Sequence, residues 1–191
     1  MDDMRLRDRS DEPPDLPAVA IELAIRRAWG WDPGEPRLHP SLSDLIDREP
    51  YEPLIAVLRS RFTGFDDRTD WNYEFCWTFW FSDGDDVLSL RLSALGPFAV
   101  LNRMVASVSE DGRLTLQATD PCEVPASETE RLIAQLTERA GFRLLNSDEL
   151  AKPVALDLKK IEPDIEDYQN DYHDGWVSTY QALFDVLHGN V

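Results

Sequence analysis

The sequence predicts an α+β domain, a four- to five-stranded antiparallel meander sheet packed with N-terminal, central and C-terminal helices. Three observations carry this reading. Residues 71–81 place an aromatic ring at every odd position. Three more alternating or apolar runs follow, separated by short turns that contain glycine. Stretches with apolar residues at helical spacing lie on both sides of that block. A length of 191 residues with 42% hydrophobic content suits a single domain with a sizeable core.

Residues 1–15 alternate charges and end at Pro13-Pro14, which reads as a mobile tail before one domain over 16–191. Within that domain, 16–65 reads as helical, 70–120 as the meander, and 126–191 as mixed helix and strand with an acidic loop at 157–174. Pro17 suits a first helical turn, and Leu16, Val19, Ala20, Leu23 and Ala24 form one apolar stripe that ends at Gly30 and Pro33. Ser41–Arg48 predicts a short helix through Leu42, Leu45 and Ile46. Pro53 opens another, with Leu54, Val57, Leu58 and Phe62 as its apolar face.

The predicted strands are Trp71–Ser82, Val87–Leu95, Phe98–Val108 and Arg113–Thr119. A period of two puts Trp71, Tyr73, Phe75, Trp77, Phe79 and Phe81 on one face, turned toward a helix layer. Asp83-Gly84-Asp85, Gly96-Pro97 and Glu110-Asp111-Gly112 supply the turns, and turns this short favour antiparallel pairing. Ser127 and Glu130 make a capping box for a helix with Thr129, Leu132, Ile133, Leu136 and Ala140 on one side and Gly141 as its stop. Phe142–Leu145 is a short extended piece, and Ser147 caps a brief turn through Leu150. Val154, Leu156 and Leu158 alternate as a fifth strand. A final helix over Trp176–His188 carries Val177, Tyr180, Phe184 and Leu187 at helical spacing.

The formal net charge of −18 sorts the possible partners. Such a surface repels nucleic acid and anionic membranes and attracts a basic protein. The bland alternative is that acidity serves solubility alone. Met1–Pro17 lacks the apolar core of a signal peptide, and no apolar run approaches the roughly 20 residues of a membrane span. Cys76 and Cys122 are too few for a disulfide scaffold. The expectation is a cytoplasmic protein with free thiols and with neither nucleic acid nor membrane as partner.

Motifs for catalysis are absent: there is no G-x-G-x-x-G, no G-x-x-x-x-G-K-[ST] and no G-x-S-x-G. Cys76 with His39, His173 or His188 as base would make a nucleophile, but a cysteine inside an aromatic strand reads as a small buried hydrophobe. Asp171, His173 and Asp174, with Glu166 and Asp167 upstream, offer metal donors without the spacing of a calcium loop or an H-E-x-x-H site. No metal and no other cofactor is expected. Glu74 shares the even face of the aromatic strand with Asn72, Thr78 and Trp80 and reads as a solvent-facing carboxylate. Trp80 is either an exposed anchor or lies beneath a helix, and the many helices favour burial. The candidate binding residues are Glu166, Asp167, Tyr168, Asp171, Tyr172 and Trp176, where carboxylates interleave with rings: charge steers a partner and aromatic anchors hold it.

Four segments carry a resemblance in layout: the aromatic strand Trp71–Phe81, the turn Leu95-Gly96-Pro97-Phe98, the join Ala140-Gly141-Phe142-Arg143-Leu144-Leu145, and Tyr180-Gln181-Ala182-Leu183-Phe184. With these the chain resembles the small acidic immunity proteins of bacterial polymorphic toxin systems. The resemblance implies an intracellular protein that binds and blocks one toxin, often a basic nuclease. The rival readings are an enzyme with a carboxylate-lined cleft and an accessory domain whose acidity only keeps it in solution.

Overall fold

The structure, a computed structural model, describes residues 20–21, 23–25, 48–71, 74–108, 114–154 and 177–184. The 1–15 tail, residues 41–47 of the predicted Ser41–Arg48 helix, all three histidines and the acidic loop 157–174 lie outside the described residues.

The meander is present. Strands β1 (Asp66–Asp67), β2 (Cys76–Asp83), β3 (Asp86–Ser93), β4 (Phe98–Val108) and β5 (Leu114–Pro121) lie in that order, each antiparallel to the next. Gly84, at φ 65°, sits in the two-residue loop between the paired Asp83 and Asp86; that left-handed φ suits glycine and matches the strand twist of a tight hairpin. Strand β6 (Arg143–Leu144), the predicted extended piece, pairs parallel with the start of β4. It occupies the same side of β4 as β5, so the sheet is mostly but not wholly antiparallel.

The aromatic strand starts later than its period predicts. Phe75 leaves the ladder: its N–H donates to the Phe184 carbonyl (2.8 Å) and its carbonyl accepts from Ala94 (2.8 Å). Phe75 therefore packs with Cys76 on the even face, while Trp77, Phe79 and Phe81 keep the odd face. Trp71 reaches that face from a turn, edge-on to Trp77 with ring centroids 4.5 Å apart. The predicted fifth strand lies mostly outside the described residues. Within it Val154 is described, and it belongs to a separate ribbon of β7 (Pro153–Val154) with β8 (Val177–Ser178). The fifth strand of the meander is instead β1, two aspartates with no period to announce them.

Both faces of the sheet carry a core. On the odd face Trp77, Phe79, Phe81, Leu88, Leu90 and Leu92 meet helix α1 (Glu52–Arg61) and helix α2 (Glu128–Arg139) through Leu54, Ile55, Leu58 and Ile133. On the even face Phe75, Cys76, Phe98 and Val100 meet Ile21 and Ile25 from helical residues near 20–25, Leu150 of helix α3 (Ser147–Ala151), and Leu183 and Phe184 of helix α4 (Thr179–Phe184). Each such side chain contributes about 1.5–3 kcal/mol on burial.

Several helix details differ from the predicted faces. Helix α1 buries Ile55 and leaves Val57 exposed, because 54, 55 and 58 form the inward stripe. The capping box of Ser127 and Glu130 is present, yet α2 buries Glu130, Ile133 and Thr137 most deeply. Asn146, not Ser147, caps α3, with Glu149 closing its box. Helix α4 lies inside the predicted 176–188 span, and Val177 belongs to β8.

Candidate functional site

A cleft of about 380 Å³ opens where three turns meet. These are the 3-10 turn Glu49–Tyr51, the β3–β4 connection at Ala94–Pro97, and the end of α2 at Ala140–Phe142. Gly141, at φ 91°, ends the helix in the left-handed conformation that glycine adopts freely. The next residues then zip onto β4: Arg143 N–H donates to the Pro97 carbonyl (2.8 Å) and Leu145 N–H to that of Ala99 (2.9 Å). Tyr51 forms one wall. Its hydroxyl donates to the Ser93 carbonyl (3.1 Å), and its ring lies 5.5 Å from Phe142 and 5.9 Å from Trp77. Among the described residues that line this cleft, none carries a carboxylate, imidazole or thiol. The cleft offers rings, proline and backbone, which is contact surface without an acid–base pair. Its position has little sequence signal, since only the Gly96-Pro97 and Ala140-Gly141 punctuation marks it.

A second feature is polar and lies on the even face. Glu74 accepts a hydrogen bond from the Thr78 hydroxyl and pairs with Arg91 at 3.4 Å. Thr78 in turn takes the Thr69 hydroxyl oxygen on its backbone N–H (3.2 Å). The Arg91 guanidinium lies 5.6 Å from the Tyr180 ring centroid, tying the sheet to α4. Glu74 is therefore not the solvent-facing carboxylate predicted; its side chain is 20% exposed and partnered on both oxygens. The Cys76 sulfur lies 3.4 Å from the Thr78 hydroxyl and 3.5 Å from a Glu74 oxygen. Burial, and then the Glu74 charge, push the Cys76 thiol well above its ordinary range. Burial and then Glu130 raise Cys122 too. Both thiols stay protonated at neutral pH, which suits packing and not nucleophilic attack. Further along this face, the Ser89 hydroxyl and the Asn102 side-chain oxygen are buried without a hydrogen-bond partner, while the Asn102 amide donates to the Thr119 carbonyl (2.8 Å).

Trp80 is half-buried. The Arg68 guanidinium caps its ring at 4.9 Å and pairs with Asp66 at 2.7 Å. This is one of several arginine–carboxylate pairs among the described residues. Arg48 holds Glu52 (2.8 Å) and Asp67 (2.9 Å), Arg103 holds Glu130, and Arg143 holds Glu149. At Asp67 burial works to raise the pKa, but the Thr69 hydroxyl and N–H and the Arg48 guanidinium outweigh it and hold the carboxyl below its usual value. Asp85 and Asp86 at the β2–β3 hairpin, Asp120, Glu138 and Asp148 are exposed and form no ion pair among the described residues.

The predicted binding residues Glu166, Asp167, Tyr168, Asp171, Tyr172 and Trp176 lie outside the described residues, as does the Asp171, His173 and Asp174 group weighed as a metal site. Among the described residues, no group of three or more histidines, cysteines and carboxylates is arranged to hold a metal ion. No helix of the described residues is long and apolar enough to cross a membrane. Compared with known proteins, the chain matches no family model, no curated protein and no solved structure. The cleft does join two of the segments compared above with immunity proteins, Leu95–Phe98 and Ala140–Leu145.

Proposed function

We propose that this chain is an intracellular protein-binding factor, of immunity or inhibitor type, whose acidic surface meets a basic protein partner. One observation carries the reading. It is the acid excess itself: the ion pairs of Arg48, Arg68, Arg91, Arg103 and Arg143 each use at least one carboxylate as well, so pairing within the chain leaves the excess of carboxylates over basic residues in place. With a net charge of −18, the long-range field then points one way. The cleft beside Tyr51 supports binding in another way, because the rings of Tyr51 and Phe142 and the Pro50 and Pro97 side chains offer contact surface to a partner.

The 157–174 segment carries seven carboxylates against Lys159 and Lys160, with Tyr168 and Tyr172 among them and Trp176 just beyond. In this reading it contributes steering charge and anchors. Affinity purification from the native cell, followed by reconstitution of the pair from purified components, tests the proposal. The expected result is one stoichiometric basic partner whose affinity falls as salt rises. Recovery of an acidic or neutral partner bound independently of salt would overturn it.

A further inference from the structure

The two edges of the sheet are managed differently. β1 is two residues long, bears Asp66 and Asp67, and has Arg48 and Arg68 paired to them. Charge and brevity of this kind prevent another strand from adding. β5 is eight residues long and ends in Asp120 and Pro121, but its first six residues, Leu114–Thr119, contain no charge and no proline. Among the described residues it has neighbours on one side only. The hairpin that β5 forms with the end of β4 is also largely exposed. Val105 is 53% and Val108 70% exposed, and Ala106, Gln117, Ala118 and Thr119 are exposed as well. The register Ala106↔Leu116 and Val108↔Leu114 places Ala106, Val108 and Leu116 on one uncharged face.

We propose that β5 is a docking edge for an extended basic segment of the partner, which adds to the sheet as a further strand. Main-chain hydrogen bonds along Leu114–Thr119 supply affinity, and alternate apolar side chains of the incoming segment lie beside Leu116 and extend the uncharged face that Ala106 and Val108 begin. Charge decides the occupant. Two copies of a −18 chain repel at the approach that edge-to-edge pairing needs, whereas a basic strand is drawn in. This inference rests on the acidic-surface reading above and adds the place and the mode of contact.

A labelled ten-residue peptide alternating valine and arginine is the probe, with a fully N-methylated version of equal charge as control. The proteins are the wild type, Gln117→Lys on the exposed part of β5, and Gln135→Lys on the exposed part of α2, each with an unchanged melting temperature. The expected result is binding to the wild type and to Gln135→Lys, weakened about tenfold or more by Gln117→Lys and abolished by N-methylation, because an edge lysine blocks strand addition. Amide exchange in the wild type alone gives an independent readout: the peptide should slow exchange across residues 114–119. Equal weakening by both lysines, or equal binding of the N-methylated peptide, would overturn the edge while leaving the acidic-surface reading intact. Protection of 114–119 that grows with protein concentration and needs no peptide would assign the edge to a second copy instead. Absence of peptide binding at low salt would also overturn the inference, and the capture experiment would still decide the acidic-surface reading by itself.

Discussion

Glu130 is a carboxylate buried at the first turn of α2, and its partners explain why the fold accepts it. Arg103 pairs with one oxygen, while the Ala126 and Ser127 N–H groups donate to the other. Burial alone would raise its pKa, but the Arg103 hydrogen bond and the two backbone donors prevail and hold it below the usual value. A carboxyl whose folded pKa lies below its unfolded value stabilises the fold at neutral pH and loses that contribution as pH falls through the folded value. Glu130→Gln should therefore cost about 1–3 kcal/mol at neutral pH and much less near the acid limit of folding, as read by urea melts across pH. Ser127→Ala, which removes the other half of the box, should cost about 1 kcal/mol in the same assay. The S-x-x-E motif made this cap legible in the sequence. The burial of Glu130 was not, because that depends on Arg103, 27 residues away. Gly64 is similarly silent in the sequence. A Cβ there would lie 2.6 Å from Ser82 Cβ and 2.9 Å from its backbone nitrogen, so Gly64→Ala should destabilise by about 1–3 kcal/mol through overpacking, measured by thermal or urea melts.

At the scale of elements, the period of two located β2, β3 and β4 to within a few residues, because one face of each is buried in a continuous layer. Trp77 is the anchor of that layer. It is 3% exposed and touches Tyr51, Trp71 and Arg48. Trp77→Ala should cost about 3–5 kcal/mol in equilibrium unfolding; a loss under about 1 kcal/mol would mean that the ring does not carry the core. The same period misplaced the start of β2. An aromatic at position 75 fits either face, and the choice is made by backbone bonds to Phe184 and Ala94, far away in sequence. β1 was illegible for a related reason. Two exposed aspartates have no hydrophobic pattern, and only pairing with Phe79 and Trp80 makes them a strand. The cleft depends on three turns meeting through the β4–β6 contact, which local spacing does not encode.

For the whole molecule, composition already shows the acid excess on which the proposed function rests, and the structure adds that several arginines pair with carboxylates on the sheet and helices. If the 157–174 segment steers the partner, Glu166→Lys with Asp167→Lys should slow association and reduce its salt dependence, whereas Tyr172→Ala should speed dissociation. Stopped-flow kinetics on variants with unchanged melts separates the two effects. Wild-type kinetics in both would remove that segment from the interface and turn attention to β5 and the Tyr51 cleft. The most direct test of the central claim is the association rate constant of the reconstituted pair as a function of ionic strength. It should fall about tenfold or more between low salt and about 0.5 M, with a dissociation rate that changes far less. An association rate that stays flat across that range would show that the acidic surface does not guide the partner and would contradict the account.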